Sequence, residues 1–324
     1  MKQPVPLCVD LDGTLLRTDS LWETVLQILK LKPLSLFPLI MTFFRSGRSG
    51  FKAAAVDLLV IDPAGLPYHT EILELVDLAR RETRPVLLVT GANQRLAVAV
   101  ADHLGIFDGV IGSEPGSNNT GHDKAAELIR RYGDRCFDYA GNSHADLKVW
   151  AHSHAAIVVG NRKLAGKAAE HCPITARFDT GTVSQTKAFL KAIRPHQWVK
   201  NIILFLPLVA SHRLFEIQVI LDACLAFIAF SLCASGLYVM NDLLDLPSDR
   251  KHPSKCNRTF AAGNLPLSWG VALCPTLLIL SLLVSMALPI RFFLILMTYV
   301  ALTTSYSFHF KKRVLVDVFF LAGL

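Results

Sequence analysis

Two carboxylates stand two residues apart directly after a short apolar run near the start of the chain. They are Asp10 and Asp12 in the sequence CVDLDGT, and Gly13 permits a sharp turn after them. One acid of such a pair can attack phosphorus as a nucleophile while the other protonates the leaving oxygen. A nearby Mg²⁺ ion would offset the repulsion between these carboxylates and a phosphate. A calcium loop of the EF-hand type is excluded, because its next acid, its glycine and its closing glutamate are missing at the required spacings.

A second acidic group follows directly on a long apolar run in the second half of the chain. The sequence VMNDLLDLPSDR contains Asn241, Asp242, Asp245 and Asp249, and a continuous helix would place the three carboxylates on one face. Three like charges at a membrane boundary would repel one another without a cation, and Mg²⁺ bridged to substrate phosphates is the natural partner. Basic residues that could bind the remaining phosphate charge follow at once: Lys251, Lys255 and Arg258. The alternative is a solvated loop with accidental acid spacing.

The bulk composition indicates two kinds of domain. The chain has 324 residues, of which 52% are hydrophobic and only 18% charged, too apolar a balance for one soluble globule. The net charge of +7 comes from Lys and Arg residues that cluster beside apolar spans, which favours a bilayer or phosphates over nucleic acid. The seven cysteines are scattered without a CxxC pair, which predicts reduced thiols on a cytosolic face.

The first 177 residues alternate short apolar runs with amphipathic helical stretches. This order predicts a doubly wound, Rossmann-like α/β domain whose ligands lie beyond the carboxyl ends of parallel strands. The predicted strands are Pro6–Leu11, Pro85–Thr90, Gly109–Ile111, Phe137–Ala140 and Ala155–Val159. The predicted helices are Thr70–Glu82, Asn93–Leu104 and Asp123–Gly133.

An insertion after the first strand, about residues 20–69, is mainly helical and is predicted to form a cap over the site. Within it, Leu34–Phe44 is apolar but too short to span a bilayer. This segment is either the core of the cap or a helix lying in a membrane interface.

Residues 178–193 form a predicted polar linker with a short helix, and residues 194–324 form a predicted all-α, multi-pass membrane domain. Its apolar stretches are Trp198–Val209, Ile217–Met240, Leu267–Leu288, Phe292–Phe308 and Val314–Leu324. Basic residues flank alternate ends of these stretches, which places the N-terminal domain, the 241–266 loop and Lys311–Arg313 in the cytoplasm by the positive-inside rule. We therefore expect an integral protein of the inner or plasma membrane. The last apolar stretch has no polar end at Leu324, from which we expect a truncated protein.

Three further motifs follow the first acid pair in a fixed order: LLVTG with Thr90, a helix-opening Lys124, and YAGNSHAD with Asp146. Together with DxDGT they resemble the haloacid dehalogenase superfamily over roughly residues 5–165. The resemblance implies that Asp10 is the nucleophile and Asp12 the general acid and base. It also implies that Thr90 and Lys124 hold phosphoryl oxygens and that Asp146 belongs to a Mg²⁺ loop. The candidate Mg²⁺ ligands of this site are Asp10, Asp12, Asn142 and Asp146.

One position departs from that family. Its acidic loop usually begins Gly-Asp, whereas this chain has Gly141 followed by Asn142. The amide oxygen of Asn142 can still bind Mg²⁺ but carries no charge, which predicts a weaker metal site. A retained fold with reduced or lost catalysis is the alternative.

The second acidic group, NDxxDxxxD followed by HPxKxxR, resembles the UbiA superfamily of intramembrane polyprenyl transferases over about residues 190–324. The family commonly has Pro where this chain has Thr259. Its second aspartate motif lies in a later loop of a nine-helix bundle, so we expect these 324 residues to be inactive as a transferase by themselves. Asp317, within an apolar run, is a secondary candidate because a lone membrane carboxylate is usually functional.

The segment IRPHQWVKNIILFLPL narrows the resemblance to the branch that transfers phosphoribose to a polyprenyl phosphate. This branch implies a polyprenyl phosphate acceptor and a Mg²⁺-bound phosphoribosyl diphosphate donor. Arg194, Gln197 and Lys200 are candidates for binding anionic substrate, or, with Trp198, for interfacial anchoring. The alternative is an aromatic prenyltransferase using a prenyl diphosphate, joined to a non-catalytic regulatory module. If the first reading holds, the fused phosphatase would remove the 5-phosphate of the lipid-linked product.

Overall fold

The computed structural model describes residues 4–114, 121–179, 184–211 and 215–310. The chain forms two compact units, Met1–Thr182 and Val183–Leu324. Each unit is described by itself below.

The first unit is built on a six-stranded parallel sheet. Its strands are β1 (Leu7–Val9), β2 (Val86–Asn93), β3 (Gly109–Ser113), β4 (Asp138–Gly141), β5 (Ala155–Val159) and β6 (Ile174–Phe178), in the spatial order β3-β2-β1-β4-β5-β6. The helices that follow the strands are α3 (Thr70–Arg81), α4 (Gln94–Leu104), α5 (His122–Tyr132), α6 (Leu147–Trp150) and α7 (Arg162–Ala169). The order reverses at β1, which lies between β2 and β4, so the acid pair after β1 occupies the switch point where such sheets bind ligands. The predicted doubly wound α/β fold is confirmed.

Burial of both sheet faces explains why the strands are continuous apolar runs. Leu7 and Val9 of β1 pack into one core, while Cys8 between them packs into the other. Side chains alternate between the faces of a strand, so a strand covered on both sides favours apolar residues at every position. All five predicted strands are present. The sequence analysis missed β6, an edge strand whose Thr175 and Arg177 break the apolar pattern.

The insertion between β1 and α3 is helical, as predicted. It consists of α1 (Ser20–Leu31), a short 3₁₀ turn (Pro33–Ser35) and α2 (Leu36–Leu58), which is kinked at Gly47. Ile28, Leu39 and Ala55 form a small core between the two helices. Of the segment Leu34–Phe44, only Leu39 is buried, so this segment is not mainly cap core.

The second unit is helical. It begins with α8 (Gln185–Ile193), a 3₁₀ helix (Pro195–Phe205) and α9 (Leu206–Ala210), and continues with α10 (Ile217–Leu244), α11 (Leu246–Lys251), α12 (Leu267–Ser285) and α13 (Ile290–Ser305), which ends in a π turn (Tyr306–Phe310). Among the described residues, three helices are long and apolar enough to cross a membrane: Ile217–Leu244, Leu267–Ser285 and Ile290–Phe308. The predicted stretches at Lys311–Arg313 and Val314–Leu324 lie outside the described residues.

The predicted first span, Trp198–Val209, is not a long α-helix. It is the 3₁₀ helix followed by the five residues of α9, running antiparallel to α10: the indole of Trp198 donates to Ser235 Oγ at 2.9 Å, and the amide of Asn201 donates to Ser231 Oγ at 2.9 Å. Eleven 3₁₀ residues and five α-helical residues make a segment about 30 Å long, comparable with the hydrocarbon core of a bilayer.

Basic side chains gather at one end of α10 within this unit. Lys191 donates to the carbonyl of Asn257 at 3.0 Å, and Arg194 contacts Asp242 at the end of the helix. The opposite end of α10 begins at Ile217, beside the end of α9. This asymmetry is the pattern on which the predicted orientation rests.

Candidate active sites

The carboxyl ends of β1, β2 and β4 bring the first group of predicted residues to one pocket. The cavity measures about 300 Å³, the lower end of the usual range for ligand sites. All six predicted residues of this group line it: Asp10, Asp12, Thr90, Lys124, Asn142 and Asp146. Asp10 follows β1 and its backbone N–H donates to Ala140 of β4 at 3.0 Å, which fixes the end of the strand beside the acidic loop.

Lys124, from the first turn of α5, lies between two acids. Its Nζ is 2.6 Å from Oδ1 of Asp10 and 3.8 Å from Oδ1 of Asp146. It also donates to the hydroxyl of Tyr139 at 3.0 Å, and that hydroxyl donates to Asp146 at 3.0 Å. All four side chains are buried, so the ammonium group is held at the centre of the site by charge and hydrogen bonds together.

Asp146 is fixed by the loop that precedes it. One of its carboxylate oxygens accepts the backbone N–H groups of Asn142 and Ser143, at 3.1 and 2.9 Å, and the Ser143 hydroxyl at 2.7 Å. A carboxylate with this many donors cannot rotate freely. The loop is therefore a rigid acidic corner next to Lys124.

Asp12 faces the cap. Its Oδ1 accepts the backbone N–H of Ser20 at 2.8 Å, at the first residue of α1, where Asp19 caps the helix by accepting from Leu21 and Trp22. The first N–H groups of a helix have no partner within the helix and favour a nearby carboxylate. This explains the contact between the Ser20 N–H and Asp12. The two acids of the DxD motif therefore have different surroundings, one on Lys124 and one on the cap.

Burial shifts the pKa values of both acids. It raises the pKa of Asp10 to about 6, although the charge of Lys124 opposes the rise. It raises the pKa of Asp12 to about 7, and the nearby Asp19 adds to the effect. Burial lowers the pKa of Lys124, but Asp10 and Asp146 outweigh it and raise that pKa above its ordinary value. The pKa of Asp12 is thus raised towards neutral pH, where a general acid must hold its proton.

Asn142 packs directly on Gly13. Gly13 has a φ of +75°, and a Cβ atom built there would lie 1.9 Å from Nδ2 of Asn142. The motif therefore needs glycine for two reasons, its backbone conformation and the close approach of the side chain from the acidic loop.

We expect Gly13→Ala to lower phosphate release from a simple phosphomonoester by about 10²-fold, since a displacement near 1 Å at a reacting centre has that effect. Gly105→Ala is the matched control, because Gly105 also has a positive φ, +64°, but its Cβ would meet nothing within 4 Å. Gly65→Ala controls for the substitution itself, because Gly65 has no positive φ and a Cβ built there would meet nothing within 4 Å. Steady-state rates with hydrogen exchange of β1 separate activity from folding. Equal losses in Gly13→Ala and Gly105→Ala would show that backbone strain alone is responsible.

The donor chemistry of this pocket fits Mg²⁺. Asp10, Asp146 and Asn142 offer carboxylate and amide oxygens, the ligands that Mg²⁺ accepts. Within the described ranges, no group of three or more His, Cys, Asp or Glu side chains is arranged to hold a metal. Asp12, the other predicted ligand of this site, accepts the backbone N–H of Ser20 through its Oδ1.

Several pocket residues were not anticipated from the sequence. Arg48 and Lys52 line the pocket from α2, and Lys52 donates to the carbonyl of Gly91 at 2.7 Å. Both were visible as cations in an otherwise apolar cap. Tyr139, which links Lys124 to Asp146, gave no signal beyond its place in a predicted strand.

The second unit holds a separate cluster of charges. Nη2 of Arg194 is 2.7 Å from both carboxylate oxygens of Asp242. Nη1 of Arg258 lies 3.2 Å from Asp242 and 2.8 Å from Asp249, so it bridges the two acids. Asp242 and Asp249 are both buried. A cavity of about 280 Å³ opens beside Arg194, Asp242 and Arg258.

Arg194 is held in an unusual conformation. It caps α8 in the left-handed region with φ of +56°, and its guanidinium lies 5.2 Å from the ring centre of Tyr238. A non-glycine residue in this region costs about 1–3 kcal/mol and persists when its surroundings fix it. Here the surroundings are the Tyr238 ring and the Asp242 carboxylate, which aim the guanidinium at the cavity.

The other predicted residues of this group are not brought into the cavity. Asn241 accepts a hydrogen bond from Ser307 at 2.5 Å, whereas Asp245 is buried at the end of α10. Lys200, Lys251 and Lys255 do not line the cavity, and Asp317 lies outside the described residues. The predicted single helical face is wrong, because α10 ends at Leu244 and Pro247 opens a new helix. Arg258, and not helical periodicity, unites Asp242 with Asp249.

The cavity also has lining residues that the sequence analysis missed. These are Lys191, His196, Ser254, Asn257 and Thr259. Thr259 was noted only as a departure from a family pattern. His196 was visible in the entry segment between Arg194 and Gln197, which the resemblance had already marked.

Family comparisons agree with these two sites. Residues 7–150 match the haloacid dehalogenase-like hydrolase family, and residues 202–324 match the UbiA prenyltransferase family. Two separate stretches of the chain therefore match two enzyme families, each over less than half of its length.

Individual curated proteins match either nearly the whole chain or less than half of it. The uncharacterized protein y4nM of Sinorhizobium fredii is 35% identical over 99% of this chain and 62% of its own length. The nodulation protein NoeC of Azorhizobium caulinodans is 38% identical over 42% of this chain and 44% of its own. The decaprenyl-phosphate phosphoribosyltransferase of Corynebacterium glutamicum is 35% identical over 40% of each chain. The chain thus spans less than two thirds of the length of each of these relatives.

Proposed function

We propose that the first unit is a Mg²⁺-dependent phosphohydrolase and that Asp10 is its nucleophile. The observation that carries this proposal is the position of Lys124, whose Nζ lies 2.6 Å from Asp10 and 3.8 Å from Asp146 in a pocket that Thr90 also lines. A cation held between two acids is suited to a substrate phosphate that approaches Asp10.

The chemistry follows from these residues. A carboxylate oxygen of Asp10 attacks phosphorus, and the bond from phosphorus to the leaving oxygen breaks as that oxygen takes the proton of Asp12. Water then attacks the aspartyl phosphate, with Asp12 now accepting a proton from the water, and free phosphate leaves. Lys124 and Thr90 hold the phosphoryl oxygens throughout. A Mg²⁺ ion bound by Asp10, Asn142 and Asp146 would offset the negative charge of the phosphate.

The second unit is proposed to bind a Mg²⁺-diphosphate donor and to transfer its group to a polyprenyl phosphate. Asp242 and Asp249 supply the carboxylates for the metal, while Arg194 and Arg258 supply cations for the phosphates. Lys200, Lys251, Lys255, Asn241 and Asp245 remain proposed contributors. The resemblance to phosphoribosyltransferases favours phosphoribosyl diphosphate as the donor. The distribution of basic residues favours a cytoplasmic location for the basic end of α10 and for the first unit.

Joining the two units favours consecutive reactions on one lipid. A phosphoribosylated lipid carries a phosphomonoester, which the first unit could hydrolyse, and a shared chain raises the effective concentration of one site at the other. The y4nM relative supports the pairing, since its similarity extends over 99% of this chain and therefore over both units.

The test uses the full chain in lipid nanodiscs with Mg²⁺ and a synthetic phosphoribosyl polyprenyl phosphate. We expect release of inorganic phosphate from the sugar 5-position, with the lipid-linked ribose left behind as seen by mass spectrometry. Hydrolysis of a water-soluble phosphomonoester but not of the lipid would support the proposed phosphohydrolase activity and would contradict the proposed lipid substrate. Transfer itself is measured separately, with labelled phosphoribosyl diphosphate and polyprenyl phosphate. Labelling of lipid only from a prenyl diphosphate and an aromatic acid would overturn the donor assignment.

A further inference from the structure

The cap of the first unit exposes a stripe of large apolar side chains. Leu34, Phe37, Met41 and Phe44, here called the apolar ridge, are spaced by three, four and three residues, which places them on one side of a helix. Leu34 is 90% exposed, Phe37 73% and Phe44 77%. Leu39 on the other side is buried against α1 and the second half of α2. The ridge is therefore a surface and not a misplaced part of the cap core.

The charge around the ridge is of one sign. Between Glu23 and Asp57 the sequence has no acidic residue, but it has five basic ones: Lys30, Lys32, Arg45, Arg48 and Lys52. Arg45 and Arg48 are exposed just beyond the ridge, and Lys32 is exposed just before it. This combination matches the interface of an anionic bilayer. The large apolar side chains can insert among the acyl chains, and the cations can bind the anionic headgroups.

The same helix connects the ridge to the pocket. α2 carries Phe37, Met41 and Phe44 of the ridge before Gly47, and it carries Arg48 and Lys52 of the pocket lining after it. Leu34 of the ridge lies in the 3₁₀ turn just before α2. Gly47 has a φ of +63° and sets the angle between the two halves. The chain also contains three helices suited to crossing a membrane, so the first unit is tethered to a bilayer.

We propose that the apolar ridge is an interfacial membrane anchor that inserts into an anionic lipid surface. The anchored half of α2 then holds the entrance of the phosphatase pocket, marked by Arg48 and Lys52, against the headgroup layer. A phosphomonoester borne by a lipid reaches the pocket from that layer without leaving the bilayer. This last step rests on the proposed function, whereas the anchoring does not.

The test measures how deeply labelled residues of the apolar ridge lie in a bilayer, using the full chain. Exposed and half-exposed cysteines, namely Cys136, Cys224, Cys256 and Cys274, are replaced by Ser, and a nitroxide is attached through Phe37→Cys or Phe44→Cys. Leu78→Cys, at an exposed position on α3, is the matched control. In nanodiscs containing phosphatidylglycerol, we expect labels on the ridge to collide with oxygen more than with a water-soluble nickel chelate, at a depth of about 5–10 Å. The label at position 78 should show the opposite preference.

Each other result has a definite meaning. Strong collision with the nickel chelate at positions 37 and 44 would show that the ridge faces water, and would overturn the proposal. Weak collision with both reagents would show a protein cover, either a second copy or the second unit of this chain, and would also overturn it. Equal depth in phosphatidylcholine alone would remove the anionic requirement. Hydrogen exchange of the buried strand β1 checks that each labelled protein is folded, independently of anchoring and of the proposed activity.

Discussion

Asp10→Asn is expected to reduce phosphate release by roughly 10⁴-fold or more, the scale seen when a covalent nucleophile is removed. The amide keeps the shape of the carboxylate, so the sheet and the pocket should survive. Lys124 loses the negative charge of Asp10 but keeps Asp146 and the Tyr139 hydroxyl, and the amide oxygen can still accept its hydrogen bond. The measurement is initial rate with p-nitrophenyl phosphate and with an alkyl phosphate, in Mg²⁺. Asp57→Asn, an exposed acid paired with Arg95, is the control for loss of one charge and should leave both rates unchanged.

Asp12→Asn separates the two acids. Loss of the general acid lowers the rate of the first step about 10²–10⁴-fold when the leaving oxygen needs a proton, and much less when p-nitrophenolate leaves. Because Asp12 also serves the later hydrolysis of the aspartyl phosphate, the first step is measured as the initial burst of released alcohol or p-nitrophenolate. Asp10→Asn should affect both substrates equally, because nucleophilic attack precedes both departures. Equal and low rates in the wild-type protein and in Asp10→Asn would identify the unit as non-catalytic. This outcome is worth testing because Asn142 replaces the charged residue usual in the acidic loop and predicts a weaker metal site.

The fold of the first unit was predictable because its strands are buried on both faces. Such strands appear as uninterrupted apolar runs that end in Gly, Asp or Ser, and their carboxyl ends place Asp10, Thr90 and Asp146 together. The edge strand β6 was not predicted, because polar residues interrupt its apolar pattern. The pocket residues Arg48 and Lys52 were not predicted either, because the sequence does not show how a cap helix is placed relative to the site. The role of Tyr139 was not predicted, because the sequence of a buried strand does not show whether a tyrosine hydroxyl contacts Lys124.

The second unit was predictable in its long helices and less so in its acidic site. Apolar length alone locates α10, α12 and α13, but a helix pattern cannot show where backbone hydrogen bonding ends. The end of α10 at Leu244 separates Asp245 from Asp242, and the bridging by Arg258 depends on the loop after α11. The entry segment after Arg194 has helical composition yet forms a 3₁₀ helix beside α10.

These features make Asp242→Asn informative, because two roles for Asp242 predict opposite results. Asp242 contacts Arg194 at 2.7 Å and Arg258 at 3.2 Å. If its carboxylate serves a Mg²⁺-diphosphate, the amide should weaken Mg²⁺-dependent binding of phosphoribosyl diphosphate about 10²-fold, near 2.8 kcal/mol. The same change removes the ion pair of Arg194 and one of the two ion pairs of Arg258, which keeps Asp249, so binding of diphosphate without Mg²⁺ should become tighter.

Equilibrium binding of labelled phosphoribosyl diphosphate to the full chain in nanodiscs, with Mg²⁺ or with chelator, measures both effects. Asp222→Asn is the matched control, since Asp222 lies on the same helix near its other end and hydrogen-bonds to Gln218 there. It should change neither affinity. Tighter binding by Asp242→Asn in both conditions would show that Asp242 acts only as the counter-ion of Arg194 and Arg258, and the metal assignment would then be wrong. Loss of binding in chelator as well would show instead that the two arginines need Asp242 to hold their positions at the cavity.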